Sequence, residues 1–145
     1  DRQGAISDDV LMVGLKNQTM YLLPLEVKTG ATPNYAKAIE QAKELGRYLR
    51  EDVLGSSGIV PQIYRSLFMR QILMQVDKYQ LYEVFNEGYF DALLAEKEQW
   101  LAGHFQLGEL VHYPRGFVVS HLESAACLNT NYMVQDDILR LSSPR

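Results

Sequence analysis

The chain predicts an α/β fold, a mixed central sheet flanked by helices with a helical insertion before the last strands. Three observations predict it. Two strand-like apolar stretches, 9–15 and 19–28, come first. Helical periodicity follows, from Tyr35 to about Glu51 and again across 61–103. Strand chemistry then returns at 110–113 and 116–121. Runs of β, then α, then β within 145 residues suit one core with strands gathered from both ends of the chain.

The elements follow in order. Residues 9–15 read as a strand, Lys16-Asn17-Gln18 as a hairpin turn, and 19–28 as the partner strand. Pro24 cannot donate to a ladder, so an edge or a bulge is expected there. Residues 29–34 form a loop, with Thr32 or Asn34 as N-cap of the next helix. That helix carries Tyr35, Ala38, Ile39, Ala42, Leu45, Gly46 and Leu49 on its apolar face. Gln41 and Tyr48, seven residues apart, share nearly one azimuth at a margin of this face. Lys43, Arg47 and Arg50 make a basic stripe at the other margin.

A break at Leu54-Gly55-Ser56-Ser57-Gly58, followed by Pro61, leads to a second helix over 62–85. Leu67, Ile72, Leu73, Val76, Leu81 and Val84 are among its apolar positions. A third helix spans 88–102, and Gly103 stops it. Pro114-Arg115-Gly116 turns between the two late strands, and the tail from Ser142 is expected to be disordered. No repeat or glycine-rich phosphate loop occurs, and no separate second domain is required.

Composition excludes several classes. Hydrophobic residues make up 47% and charged residues 22%, an ordinary globular balance. No apolar run is long enough to cross a bilayer, so no membrane partner is expected. The single Cys127 excludes an intrachain disulfide and fits a reducing, cytoplasmic setting. His104, His112 and His121 lack zinc-site spacing, and no Gly-x-Ser-x-Gly elbow is present. The aromatic residues, nine tyrosines among them, read mainly as helix core; Tyr113 and Phe117 could stack on bases, although such stacking normally sits on a basic platform. A net charge of −4 is not the footprint of a domain that grips nucleic acid unaided.

The chemistry concentrates in the first hairpin. Glu26 and Lys28 project from one face of their strand, and Val27 from the other. If the two strands pair, Asp9 can lie beside Glu26. Asp8 is the rival, since only one of two neighbours can face the site; Asp9 directly adjoins the apolar run and is favoured. Two carboxylates offer hard oxygen ligands to Mg²⁺ or Mn²⁺, and a nearby lysine can orient water or stabilise developing charge. The plain alternative is a solvent-facing ion pair, against which the apolar neighbours Leu22, Leu23, Leu25 and Val27 argue. Gln41, Tyr48 and the basic stripe likewise have ordinary readings, as surface or packing residues.

Asp9…Glu26-Val27-Lys28, followed by a helix with Gln41 and Tyr48, resembles the PD-(D/E)XK nuclease signature of restriction endonucleases and RecB- and Cas4-like exonucleases. The resemblance covers roughly the first third of the chain. It implies a restriction-endonuclease-like sheet and metal-dependent hydrolysis of DNA phosphodiesters. Asp9, Glu26 and the Val27 carbonyl would hold Mg²⁺ or Mn²⁺, and Lys28 would activate water. Gln41 and Tyr48 would support the site, and Lys43, Arg47 and Arg50 would contact DNA. Such domains usually begin with a further helix and strand, so the chain is expected to be a fragment of a longer protein. An ATPase, helicase or recognition module is the expected partner, as in large ATP-binding restriction and phage-defence proteins of the DptH type. A nuclease-like fold used only to bind DNA or protein is the competing reading. A junction resolvase, a symmetric homodimer, is the third.

Overall fold

The computed structural model describes residues 9–30, 34–55, 57–109, 115–122, 131–135 and 138–144. Its strands are β1 (Asp9–Lys16), β2 (Thr19–Gly30), β3 (Gln106–Leu107), β4 (Gly116–Leu122), β5 (Asn131–Gln135) and β6 (Ile138–Pro144). Its helices are α1 (Tyr35–Arg47), α2 (Ile59–Leu81), α3 (Asp91–Ala95) and α4 (Lys97–Leu101), with a π-helical segment over Tyr48–Val53. The chain is of α/β class, with a mixed sheet and helices, as the sequence predicts.

The main path through the sheet runs β1-β2-β4-β6-β5. β2 and β4 are parallel, as are β4 and β6, whereas β5 runs antiparallel to β6. β1 and β2 are hydrogen-bonded neighbours joined by a two-residue turn. Asn17 and Gln18 both have positive φ, at 49° and 58°. That is the type I′ geometry whose twist matches a hairpin.

The chain divides into two compact units. One holds most of β1 and β2 together with α1, β4, β5 and β6; the other holds the hairpin tip Leu15–Met20 and Leu49–Leu107. In the first, α1 starts at Asn34, whose side chain accepts a bond from the Lys37 amide at 3.0 Å. Its Ala38, Ile39 and Ala42 pack with Val118 of β4 and Ile138 of β6, and Tyr35 closes the edge of this core. Small residues on the inner face bring helix and sheet close together.

In the second unit, Met69, Leu73 and Val76 of α2 are buried, as are Trp100 of α4 and Phe105. The Trp100 and Phe105 rings lie 5.5 Å apart. Arg65 ties three segments of this unit together. Its Nε donates to the Leu54 carbonyl at 2.6 Å, and Nη1 to the carbonyls of Gly103 and Phe105 at 3.2 and 2.7 Å. The guanidinium also sits 4.9 Å from the centre of the Phe105 ring.

Several sequence expectations need correction. Pro24 is buried on an internal strand rather than exposed at an edge. It stands one residue before the β2–β4 ladder begins at Leu25↔Phe117, so no bond of that ladder needs its missing N–H. Gly116 permits the approach: a Cβ there would fall 2.9 Å from the Pro24 carbonyl oxygen. The first helix keeps α geometry only to Arg47, four residues short of Glu51. Pro61 lies in the first turn of α2, where its missing donor costs nothing, so the helix starts before it. Leu67 and Leu81 are exposed, and Val84 lies beyond the helix. The span 88–102 breaks into α3 and α4 at Glu96.

The tail from Ser142 is not disordered. It is the end of β6, and Ser142 is buried. β3, β5 and β6 had no counterpart among the expected strands. The expected strand 110–113, with His112 and Tyr113, lies outside the described residues, as do Asp8, Thr32 and Cys127.

Candidate functional site

Register sets the floor of the site. Glu26 of β2 pairs with Val118 of β4, which pairs with Arg140 of β6. Two residues on, Lys28 pairs with Ser120, which pairs with Ser142. Paired residues of neighbouring strands share a face, so these two rows form a continuous floor. The α1 residues Tyr35, Ala38, Ile39 and Gln41 lie over it, through the core and hydrogen bonds to these rows.

Glu26 is 2% exposed. Burying a carboxylate is costly unless it is paired. Lys28 supplies the partner, its Nζ donating to Glu26 Oε1 at 2.5 Å. The same Nζ donates to Gln41 Oε1 at 3.1 Å. Glu26, Lys28 and Gln41 are therefore brought together, from two positions on β2 and one on α1. Gln41 reaches the pair because it follows Ala38 by three residues on the inward side of the helix.

Asp9 opens β1, and its side chain lies outside the described residues. The hairpin places Gly14 against Tyr21, with their Cβ positions 3.6 Å apart. Val27 is half-buried between the two charged residues.

Tyr48 is 52% exposed and begins the π-helical segment. Its backbone is still αR and its amide still reaches the Glu44 carbonyl, so the seven-residue spacing keeps it near the azimuth of Gln41. Lys43 is exposed on α1, and Arg47 is exposed and paired with Glu44 at 3.2 Å. Arg50 belongs to the π-helical segment and the other compact unit.

Four residues of this face were missed by sequence reasoning. Tyr35 Oη lies 2.9 Å from Ser120 Oγ and 3.2 Å from Ser142 Oγ. The two serine oxygens are 3.2 Å apart, and Ser120 Oγ donates to the Leu141 carbonyl at 3.3 Å. The Arg140 guanidinium stacks over the Tyr35 ring at 3.8 Å, a cation–π contact. Alternation in Phe117-Val118-Val119-Ser120 could have marked Ser120 as inward-facing; nothing local marked Ser142. Tyr35→Phe removes the hydroxyl that joins helix to sheet at two buried serines. The expected loss is about 1–2 kcal/mol in urea denaturation.

The donor types fit a hard divalent cation. A buried carboxylate and a main-chain carbonyl are oxygen ligands of the sort Mg²⁺ and Mn²⁺ take. Among the described residues, no group of three or more His, Cys, Asp or Glu side chains is gathered that could hold a metal ion. No protein-family model, curated protein or solved structure matches this chain.

Proposed function

We propose that the chain is the nuclease domain of a larger DNA-processing, restriction or defence protein, hydrolysing DNA phosphodiesters with Mg²⁺ or Mn²⁺. The observation that carries this reading is the buried Glu26–Lys28 pair, held on a sheet face beneath α1 and completed by Gln41. An ion pair replaced by apolar residues is often as stable or more so, so packing alone gives little reason to keep one here.

Asp9, Glu26 and the Val27 carbonyl would hold the cation. When bound, it would supply Lewis-acid polarisation of the phosphate and a lower pKa for attacking water. Glu26 fixes the Lys28 ammonium by charge, and Gln41 fixes it by geometry. An ammonium has three donors, so two bonds leave room for a third acceptor. That acceptor would be the attacking water or a phosphate oxygen, which Lys28 would orient in line with the scissile bond. Tyr48 and the residues Lys43, Arg47 and Arg50 would act further out, along the DNA. With a net charge of −4, most of the DNA grip would come from an attached ATPase, helicase or recognition module.

The test is cleavage of plasmid and single-stranded DNA in Mg²⁺ or Mn²⁺ by the full-length protein, with Glu26→Gln and Lys28→Gln compared. Each substitution keeps a hydrogen-bonding group beside its neighbour, and circular dichroism checks the fold. Cleavage falling by about 100-fold or more in both supports the reading. Cleavage unchanged in both removes these residues from the chemistry. No cleavage by the wild type favours the binding module.

A further inference from the structure

A cleft of about 360 Å³ opens between the tip of the β1–β2 hairpin and the segment that follows α4. Both walls belong to the second compact unit. The Gln106 amide donates to the Gln18 carbonyl at 2.9 Å, which ties the walls together. β3 pairs in parallel with β2 through Thr19↔Gln106, so these two side chains share a face. Gly103 directs the segment there. It follows the end of α4 with a φ of 77°, and a Cβ on it would fall 3.3 Å from the Arg65 Cβ. The volume lies within the range of roughly 300–1,000 Å³ that small-molecule sites occupy.

The lining identifies the ligand class. Asn17, Gln18 and Gln106 bring carboxamides, Thr19 a hydroxyl and His104 an imidazole. Among the described residues no carboxylate, ammonium or guanidinium lines the cleft, so a charged ligand finds no counter-ion there. A carboxamide sets a donor beside an acceptor in one plane, which matches the N6 amino group and N7 of adenine. Guanine offers two acceptors at that edge and cytosine a donor, and neither fits both ends of the group. Gln18 is already engaged, its Nε2 donating to Gln99 Oε1 at 2.7 Å. The Thr19 hydroxyl is turned onto the Asn17 carbonyl at 3.3 Å. The exposed carboxamides of Asn17 and Gln106 have no hydrogen bond among the described residues, which leaves them for a ligand. The exposed His104 ring is of a type on which bases stack. A concave site admits a base only once it has left the duplex stack.

We infer that this cleft binds an unpaired adenine, with the carboxamides of Gln106 and Asn17 reading its edge and His104 stacking on its face. The choice of a nucleobase rests on the nuclease reading; the cleft itself involves neither Glu26 nor Lys28.

Binding of short fluorescent single strands to the full chain, in EDTA so that nothing is cut, tests the inference. Oligo(dA) is expected to bind about 10-fold tighter than oligo(dC) or oligo(dT), the discrimination that one carboxamide pairing supplies. Gln106→Leu removes donor and acceptor at similar size. Asn17→Gly removes them while suiting the positive φ of the turn. Each is expected to bring oligo(dA) down toward oligo(dC), with oligo(dC) unchanged. Amide NMR shifts at 17–19 and 103–106 locate the site. Deoxyadenosine moving the same amides shows that the free base suffices, and oligo(dA) alone moving them shows that the strand is needed; either supports the site. No binding of oligo(dA), equal binding of the three strands, shifts that avoid both segments, or a preference intact in both variants would overturn it. Metal-dependent cleavage by a protein without adenine preference overturns this inference and leaves the nuclease reading standing. An adenine preference in a protein that cuts no DNA does the reverse.

Discussion

Lys28→Ala is expected to destabilise the protein by about 3–5 kcal/mol, among the largest effects of any single substitution. Glu26 is 2% exposed, and the Lys28 ammonium lies 2.5 Å from its carboxylate. Removing the ammonium leaves that charge in a low-dielectric setting and takes a donor from Gln41. The cost therefore comes mostly from a buried carboxylate that has lost its ammonium, not from the lost attraction itself. A diagnostic follows from this asymmetry. Glu26→Gln in the Lys28→Ala background should recover part of the loss, because the remaining group is then neutral. Urea denaturation followed by circular dichroism measures both.

Arg65→Met is expected to cost about 3 kcal/mol and to loosen the second compact unit. Its guanidinium serves the carbonyls of Leu54, Gly103 and Phe105, which come from two stretches of chain far from it in sequence. Methionine fills similar volume but leaves three acceptors without a charged donor, and a hydrogen bond to a charged group contributes a net ~1.5–3 kcal/mol; water reaching this part-buried site offsets part of the total. Arg65→Lys should rescue only in part, because an ammonium is a point donor and cannot span the carbonyls as the planar fork does. Amide exchange of the Leu49–Leu107 segment should rise in both variants, and more in Arg65→Met. The same contacts commit Arg65 to holding its own unit together.

How far the sequence could be read depended on whether local signals sufficed. The first hairpin was legible because Asn17-Gln18 is a polar turn between two apolar strands. The helix after it was legible from an Asn34 cap and an apolar face, and Gln41 fell on the side that meets Lys28. Each depends on residues within one or two turns of each other. Beyond Tyr48 the helix was not legible, because the Leu54 amide bonds to the Leu49 carbonyl at 2.9 Å, a π-helical bond that no local residue pattern marks.

β5 and β6 were not legible for a different reason. Ile138-Leu139-Arg140-Leu141-Ser142-Ser143-Pro144 is short and ends in serines and a proline, which reads locally as a tail. It is a strand because β4 lies beside it over seven paired positions, Gly116↔Ile138 to Leu122↔Pro144. Long-range pairing overrides weak local propensity in sheets. Arg140 and Ser142 were missed with it, and so was half of the floor beneath Tyr35.

The double variant Glu26→Leu with Lys28→Met tests the central claim most directly, because it separates chemistry from stability in one protein. Both charges are replaced by apolar groups of similar size, so neither is left buried alone. The expected result is a folded protein at least as stable as the wild type in urea, with metal-dependent DNA cleavage abolished. Cleavage at the wild-type rate by the folded double variant would contradict the account.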